Sequence, residues 1–356
     1  MAEAEKIMSV SADDIEKIMG VEVGDIEKIM GVEVPSGNKW QGVKAIAMGR
    51  STSGKNYNQT VSRTISTTGS NTADFGDINP GGIDGSRSGV ASSSGTYAIY
   101  WTGFEDEGAY SGGTEADQAV VVTISSGADA LFGSTGFDGD VMRIDAAGVT
   151  NGINAHVLGG YSGSNLDTSY YLTIGTSGSN PPAGGELSAA SKAHAGINNA
   201  TYGYIVGGWG QSQTIDRITI NTTGDATDVG DLTVSRGNLK GAEDASRAII
   251  HGGYAYGGIE EIDYFATAAG GDASDFGDIL ETMRYEHSGV SNGTIAEFWG
   301  GTGTDYDTSP EVIQIEYVTI QSTGDALDTN AESRWDAVSE GGWGYGSWGH
   351  QTVSGG

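Results

Sequence analysis

The sequence predicts an all-β protein, a unit of four short strands written repeatedly and closed into a ring. Three recurrent features predict it. A T-I strand running into a Gly turn returns at Gly69, Gly127, Gly178, Gly224, Gly270 and Gly324, at intervals of 46 to 58 residues. An apolar strand ending in Gly-Gly or a near relative appears as IAMGR (46–50), IYWTG (99–103), HVLGG (156–160), YIVGG (204–208), IIHGG (249–253), EFWGG (297–301) and GSWGH (346–350). A third strand of the D-F-G-D type appears at 74–78, 228–232 and 275–279, and Arg87, Arg236, Arg284 and Arg334 each precede the next unit.

Taken in order, a unit opens with a short Ser/Gly-rich strand after the Arg. An apolar strand ending in Gly-Gly follows, then an alternating strand ending in T-I, then a brief outer strand. In the unit after Arg284, Val312, Ile313, Ile315, Tyr317, Val318 and Ile320 supply much of the period-2 alternation of a half-buried strand. Four short strands in 45–60 residues match one blade of a β-propeller. A single blade cannot bury both faces, and ring closure solves that while leaving only short edges exposed. Six T-I strands predict six blades; seven Gly-Gly-type strands predict that the two chain ends share a blade, Trp335–Val353 completing Trp40–Ile78. Seven blades remain the alternative count.

Residues 1–35 carry a different repeat. EKIMSVSADDI, EKIMGVEVGDI and EKIMGVEVPSG begin at Glu5, Glu16 and Glu27, an 11-residue interval. I-E-K-I-M suits about one helical turn, with Asp14 and Asp25 placed to cap and Gly20 and Gly31 to stop it. The V-x-V that follows suits extended backbone, so a broken helix–strand segment is expected in place of one continuous supercoiled helix. Single turns are unstable alone. The repeated apolar residues Ile7, Ile18, Met19, Ile29, Met30 and Val32 therefore need a covering surface and are the candidate docking residues. Residues 36–39 read as a linker into a propeller spanning 40–356.

The Gly-Gly strand and unit-opening Arg resemble kelch-type propeller repeats over about residues 40–350. The tryptophan that closes a standard kelch blade is missing, and TTGDATDVGDL (222–232) stands in its place. That variant, behind D-I-x-K-I-x-G-V repeats, is similar to virion proteins of tailed bacteriophages, marine ones especially. The resemblance implies a tail, appendage or decoration component, displayed in several copies on an extracellular particle.

Composition narrows the alternatives. The formal charge is −30, from 47 acidic against 17 basic residues, which repels nucleic acid and anionic membrane alike. With no Cys, disulfides, zinc thiolates, thiol chemistry and a galactose-oxidase-like crosslinked copper site are excluded. Neither a signal peptide nor an apolar membrane span is recognisable.

The motifs that suggest chemistry have plainer readings. The D-F-G triplets at Asp74 and Asp275 lack every other kinase signature and occupy equivalent places in the repeat. GGWGYG (341–346) has no surrounding βαβ unit. His156, His194, His251, His287 and His350 show no ligand-like spacing and read as satisfied core or edge residues. Asp225, Asp228, Asp231, Asp272, Asp275, Asp278 and Asp325 offer oxygens to Ca²⁺ but form no EF-hand loop, so turn bonding is expected and no cofactor is assigned. Trp101, Trp299 and Trp348, and the residues after Gly-Gly (Phe104, Tyr161, Trp209, Tyr254), read as packing between blades.

Binding is expected on the lengthened loop FEDEGAYSGGTEADQ (104–118), through Glu105, Asp106, Glu107 and Tyr110, and at Trp343. The expected function is a structural and host-binding virion protein: the propeller contacts a host glycan or surface protein, and the N-terminal repeat contacts other virion proteins or sister copies. A carbohydrate-active enzyme is the alternative from another class. It requires a pair of carboxylates facing each other in a pocket, for which Glu105–Glu107 is the weak candidate. An intracellular kelch-like adaptor leaves the N-terminal repeat unexplained.

Overall fold

The computed structural model describes residues 44–52, 55–68, 71, 73–77, 90–93, 97–101, 119–123, 145–173, 182–210, 212–255, 259–280, 285, 287–301, 314–332 and 351–355, with four two-residue segments before residue 40. The chain divides into two compact units, Met1–Lys39 and Trp40–Gly356.

In the first unit, β1 (Lys17–Ile18) pairs antiparallel with β2 (Val21–Glu22), and β3 (Lys28–Ile29) with β4 (Val32–Glu33). This corrects the expectation of helical turns at E-K-I-M: the K-I pair is strand in both described copies. One helical turn fixes several dihedrals for a single hydrogen bond. A strand pair with M-G between its arms forms its bonds at once, because X-Gly suits a two-residue hairpin. Ile18, Ile29 and Val32 lie on these strands, whereas Ile7, Met19 and Met30 are outside the described residues.

The second unit is built from antiparallel sheets. β5 (Lys44–Thr52), β6 (Lys55–Thr64) and β7 (Ala73–Asp77) form one; β8 (Val90–Ser93), β9 (Tyr97–Trp101) and β10 (Ala119–Thr123) form the next. Four complete four-stranded sheets follow. They are β11 (Ala147–Thr150), β12 (Asn154–Leu158), β13 (Leu166–Thr173) and β14 (Ala183–Ser191); β15 (Ala195–Asn198), β16 (Tyr202–Val206), β17 (Thr214–Thr219) and β18 (Thr227–Asp231); β19 (Lys240–Glu243), β20 (Arg247–His251), β21 (Glu261–Ala266) and β22 (Ser274–Asp278); and β23 (Ser288–Ser291), β24 (Ile295–Trp299), β25 (Gln314–Thr319) and β26 (Leu327–Glu332). The last strand, β27 (Gln351–Gly355), pairs with β5, Val353 opposite Ile46, so the C-terminal segment becomes the first strand of the first sheet. First strands lie side by side: β8 by β11, β11 by β15, β15 by β19, β19 by β23, β23 by β27, and β27 by β8. This circuit is a propeller-like arrangement.

Each four-strand order follows from the local sequence. The turn from first to second strand is an Asx turn written four times. Asn151, Asn199, Asp244 and Asn292 each accept backbone N–H bonds from two and three residues ahead, at 2.7 to 3.0 Å. Second strands are buried from their second residue onward, and third strands bury Ile215, Ile262 and Ile315 at matching positions. Alternate residues face opposite neighbours: Ile205 joins Val149 and Leu158 of the preceding sheet, while Tyr204 and Val206 join Ala248 and Ile250 of the next. The apolar core is thus a series of layers between sheets. Trp299, 1% exposed, fills the layer shared with Ala45 and Ile65, as its place on the Gly-Gly strand predicts.

The repeated T-G-D-A and D-x-G-D segments fit one another across sheets. Asp225, Asp272 and Asp325 each accept the backbone N–H of the outer strand of the preceding sheet (Glu186, Asp231 and Asp278) at 3.1 Å. The next residue, Ala226, Ala273 or Ala326, donates its N–H to the carbonyl of the same partner at 2.7 to 2.8 Å. Asn71 does the same for Glu332 N at 2.9 Å, carrying the joint from β26 to the sheet that holds β27. Glycine is required because the backbones nearly touch: a Cβ on Gly230 would lie 2.3 Å from the Gly271 carbonyl carbon. Of the carboxylates that could offer oxygens to Ca²⁺, Asp225, Asp272 and Asp325 bond backbone in these joints and Asp228 accepts the Gly230 N–H at 3.3 Å; no group of three or more acidic or histidine side chains suited to a metal occurs among the described residues.

Candidate functional site

Two kinds of polar chemistry occur in the ring, one buried in the joints and one exposed at one end of the sheets. The buried kind begins with an acid on the third strand. Asp216 accepts the Ser188 N–H and hydroxyl at 2.9 Å each. Asp263 accepts the Thr233 N–H at 3.1 Å and its hydroxyl at 2.6 Å, and pairs with Arg236 at 3.1 Å, both side chains wholly enclosed. Glu316 accepts the Leu280 N–H at 2.9 Å and lies 3.1 Å from His251 Nε2. In each case the acid on one sheet holds the outer strand of the sheet before it or the chain just past that strand.

Glu297, on the second strand β24, works toward the other neighbour, holding the chain just past the third strand β6 of the sheet that follows. It pairs with Arg63 at 3.0 Å and accepts the Ser66 N–H at 2.8 Å and the Trp299 indole N–H at 2.9 Å. Burial pushes the carboxyls of Asp216 and Glu297 up, against the bonds that hold them ionised. Burial likewise pushes Arg63 and Arg236 down, against their acid partners. Opposing tendencies of this kind mark desolvated ion pairs, whose worth depends on every partner being present.

The four described histidines, His156, His194, His251 and His287, are core residues, as expected, but not all are satisfied; His350 lies outside the described residues. His156 donates from Nε2 to the Ile220 carbonyl at 3.0 Å. His251 and His287 share a hydrogen bond at 2.9 Å, and His251 stacks on Phe298 at 3.9 Å between centroids. Among the described residues no group bonds either ring nitrogen of His194, whose burial lowers its pKa to about 3, with Lys240 adding to the effect. That ring fills the space against Gly159 and Gly208, and its sequence context carries no sign that it lacks a partner.

The exposed kind lies on the connections from second to third strand, the same connection that the Phe104–Gln118 segment makes between β9 and β10. Tyr161, Trp209 and Tyr254 each follow the Gly-Gly of their sheet. Tyr254 is half-buried and packs edge-on against Tyr285 at 5.5 Å, in keeping with a packing role. Trp209 is the correction: it is 46% exposed. Its backbone N–H is fixed to the Lys192 carbonyl at 2.7 Å, and Gly207 and Gly208 take φ of 68° and 138°. These left-handed turns lift the next residue clear of the sheet.

Lys192 crosses beneath this end of the ring. Its ammonium lies 4.4 Å from the centroid of Tyr161, 5.5 Å from that of Trp209 and 3.9 Å from Asp145. Two aromatic faces, one cation and one carboxylate from four separate connections thus meet in one patch. Sequence reasoning put Tyr161 and Trp209 at matching positions but had no signal for Lys192 or Asp145. Both lie in the connections between one sheet and the next, where the repeat is least regular.

Glu105, Asp106, Glu107, Tyr110 and Trp343, the binding residues expected from sequence, lie outside the described residues, as do Phe104 and the side chains of Trp101 and Trp348. Comparison of the chain with models of known protein families and with characterised proteins finds no match.

Proposed function

We propose that this chain is a structural, host-binding component of a tailed-bacteriophage virion: a six-bladed kelch-like propeller displayed outward, attached through its N-terminal repeat. The circuit of first strands returning from β27 to β8 supports six blades. The Gly-Gly strands and the buried Arg236 support the kelch relationship, with the G-D-A joint in place of the closing tryptophan. The single observation that carries the binding reading is the partition of polar groups. Asp216, Asp263, Glu297 and Glu316 are buried and engaged in joints between sheets, whereas Trp209 stands exposed beside Tyr161, over the largely covered Lys192–Asp145 pair. Enzymes of the alternative class place paired carboxylates in an open cleft; these carboxylates are enclosed.

The test is made on the full chain. Ile18→Asp, Ile29→Asp and Val32→Asp together are expected to leave thermal unfolding of the ring unchanged while removing the protein from purified phage particles, measured by quantitative mass spectrometry. Incorporation at the unsubstituted level refutes attachment through the repeat. Absence of the unsubstituted chain from the particles refutes the virion reading outright.

A further inference from the structure

The patch at Trp209 has features that select a ligand class. The indole is exposed yet held, its backbone bonded to Lys192 and its ring approached by the Lys192 ammonium, so little conformational freedom remains to be lost on binding. Tyr161 shares the same ammonium, which places the two ring centres within about 10 Å of each other, the reach of a disaccharide. The surrounding space is open: a Cβ on Gly163 or Gly210, in the two connections concerned, would meet nothing within 4 Å.

Charge then decides among ligands. Lys192, between the aromatic faces, disfavours a cation. Asp145 beside it and a net charge of −30 disfavour an anion. What remains is an uncharged ligand with one apolar C–H face for the aromatic rings, whose quadrupoles favour positively polarised hydrogens. It also needs hydroxyls able to accept from the ammonium, whose charge the enclosed Asp145 offsets. A pyranose has both.

We propose that Trp209 and Tyr161, with Lys192 and Asp145, form a binding site for a neutral hexopyranose chain. The site rests on the display reading above and names its ligand. Lys192 props the two rings and offers N–H donors at their edge, the enclosed Asp145 holds the ammonium from behind at 3.9 Å, and Trp209 carries the stacking surface.

The full-length protein is applied to an array of neutral oligosaccharides of glucose, galactose, mannose and N-acetylglucosamine, alongside sialylated and uronate-containing ones. Positives are titrated calorimetrically. Binding is expected to at least one neutral series, weakened tenfold or more by Trp209→Ala and several-fold by Tyr161→Ala or Lys192→Gln, with melting temperatures checked for each variant. Leu280→Ala, a second exposed apolar residue away from the patch, is expected to bind as the unsubstituted protein does. The proposal is overturned by no binding to any neutral glycan, by preference for the acidic ones, by Trp209→Ala binding normally, or by equal loss with Leu280→Ala. Particles that contain the protein while it binds no neutral glycan defeat this site alone and leave the virion role standing.

Discussion

Gly230→Ala tests the joint between neighbouring sheets. The added methyl would sit 2.3 Å from the carbonyl carbon of Gly271, 2.4 Å from its oxygen and 2.6 Å from Asp272 N. All three are backbone atoms, so no side chain can swing aside, and the sheets holding β18 and β21 must separate locally. Such overpacking costs about 1–3 kcal/mol. The separation also lengthens two bonds, Asp231 N to Asp272 at 3.1 Å and Ala273 N to Asp231 O at 2.8 Å, each worth about 1 kcal/mol. With partial relaxation the total comes to about 2–4 kcal/mol. Gly224→Ala is the control, because its Cβ meets nothing and its φ lies outside the left-handed region. Restricting the unfolded chain should make that variant neutral or about 0.4–1 kcal/mol more stable. Urea denaturation followed by tryptophan fluorescence reads both. A Gly230→Ala midpoint equal to that of the unsubstituted protein refutes the claim that the joint holds neighbouring sheets in contact.

Asp263→Asn leaves Arg236 buried opposite a neutral amide and weakens the Thr233 bonds, so a loss of about 3–5 kcal/mol is expected in the same urea assay. Removing both partners with Arg236→Met and Asp263→Leu should restore much of it, since two apolar groups leave no stranded charge. For His194 the sign follows from burial. Its folded pKa, about 3, lies below the ordinary 6.5, so the unfolded chain binds the extra proton between those values. Its contribution to stability is complete above pH 6.5 and is lost as pH falls toward 3, with a slope of up to about 1.4 kcal/mol per pH unit. His194→Leu should flatten the stability–pH curve in that window relative to the unsubstituted protein, and an unchanged slope refutes the assignment.

Much of the ring was legible because its signals are local and repeated. Most units carry a Gly-Gly, a T-I pair and a Gly turn, three of those turns G-D-A, and the observed strand order is the order in which those pieces are written. Pairing of the chain ends was legible for a related reason: an opening strand was missing at one end and a surplus strand present at the other. The N-terminal repeat misled because I-E-K-I-M has the composition of a helix and only two residues in each described arm. At that length propensity is weak beside the hydrogen bonds a Gly-turned hairpin forms at once. Trp209 misled because four aligned aromatics suggest one role, while the neighbouring connection, not the repeat, sets how far Trp209 is covered.

Periodicity by itself determined that this chain makes antiparallel four-stranded sheets and stacks them side by side, since alternation along a strand dictates which residues must be hidden from water. Only the tertiary structure decided what those faces meet: that Asp272 reaches Asp231, that His251 lies between His287 and Glu316, and that Lys192 draws Tyr161 and Trp209 together. The reason is the range of the forces concerned. Backbone pairing and burial pattern act over a few residues and repeat with the sequence, whereas contacts across a joint depend on how two separately folded sheets come to rest against each other.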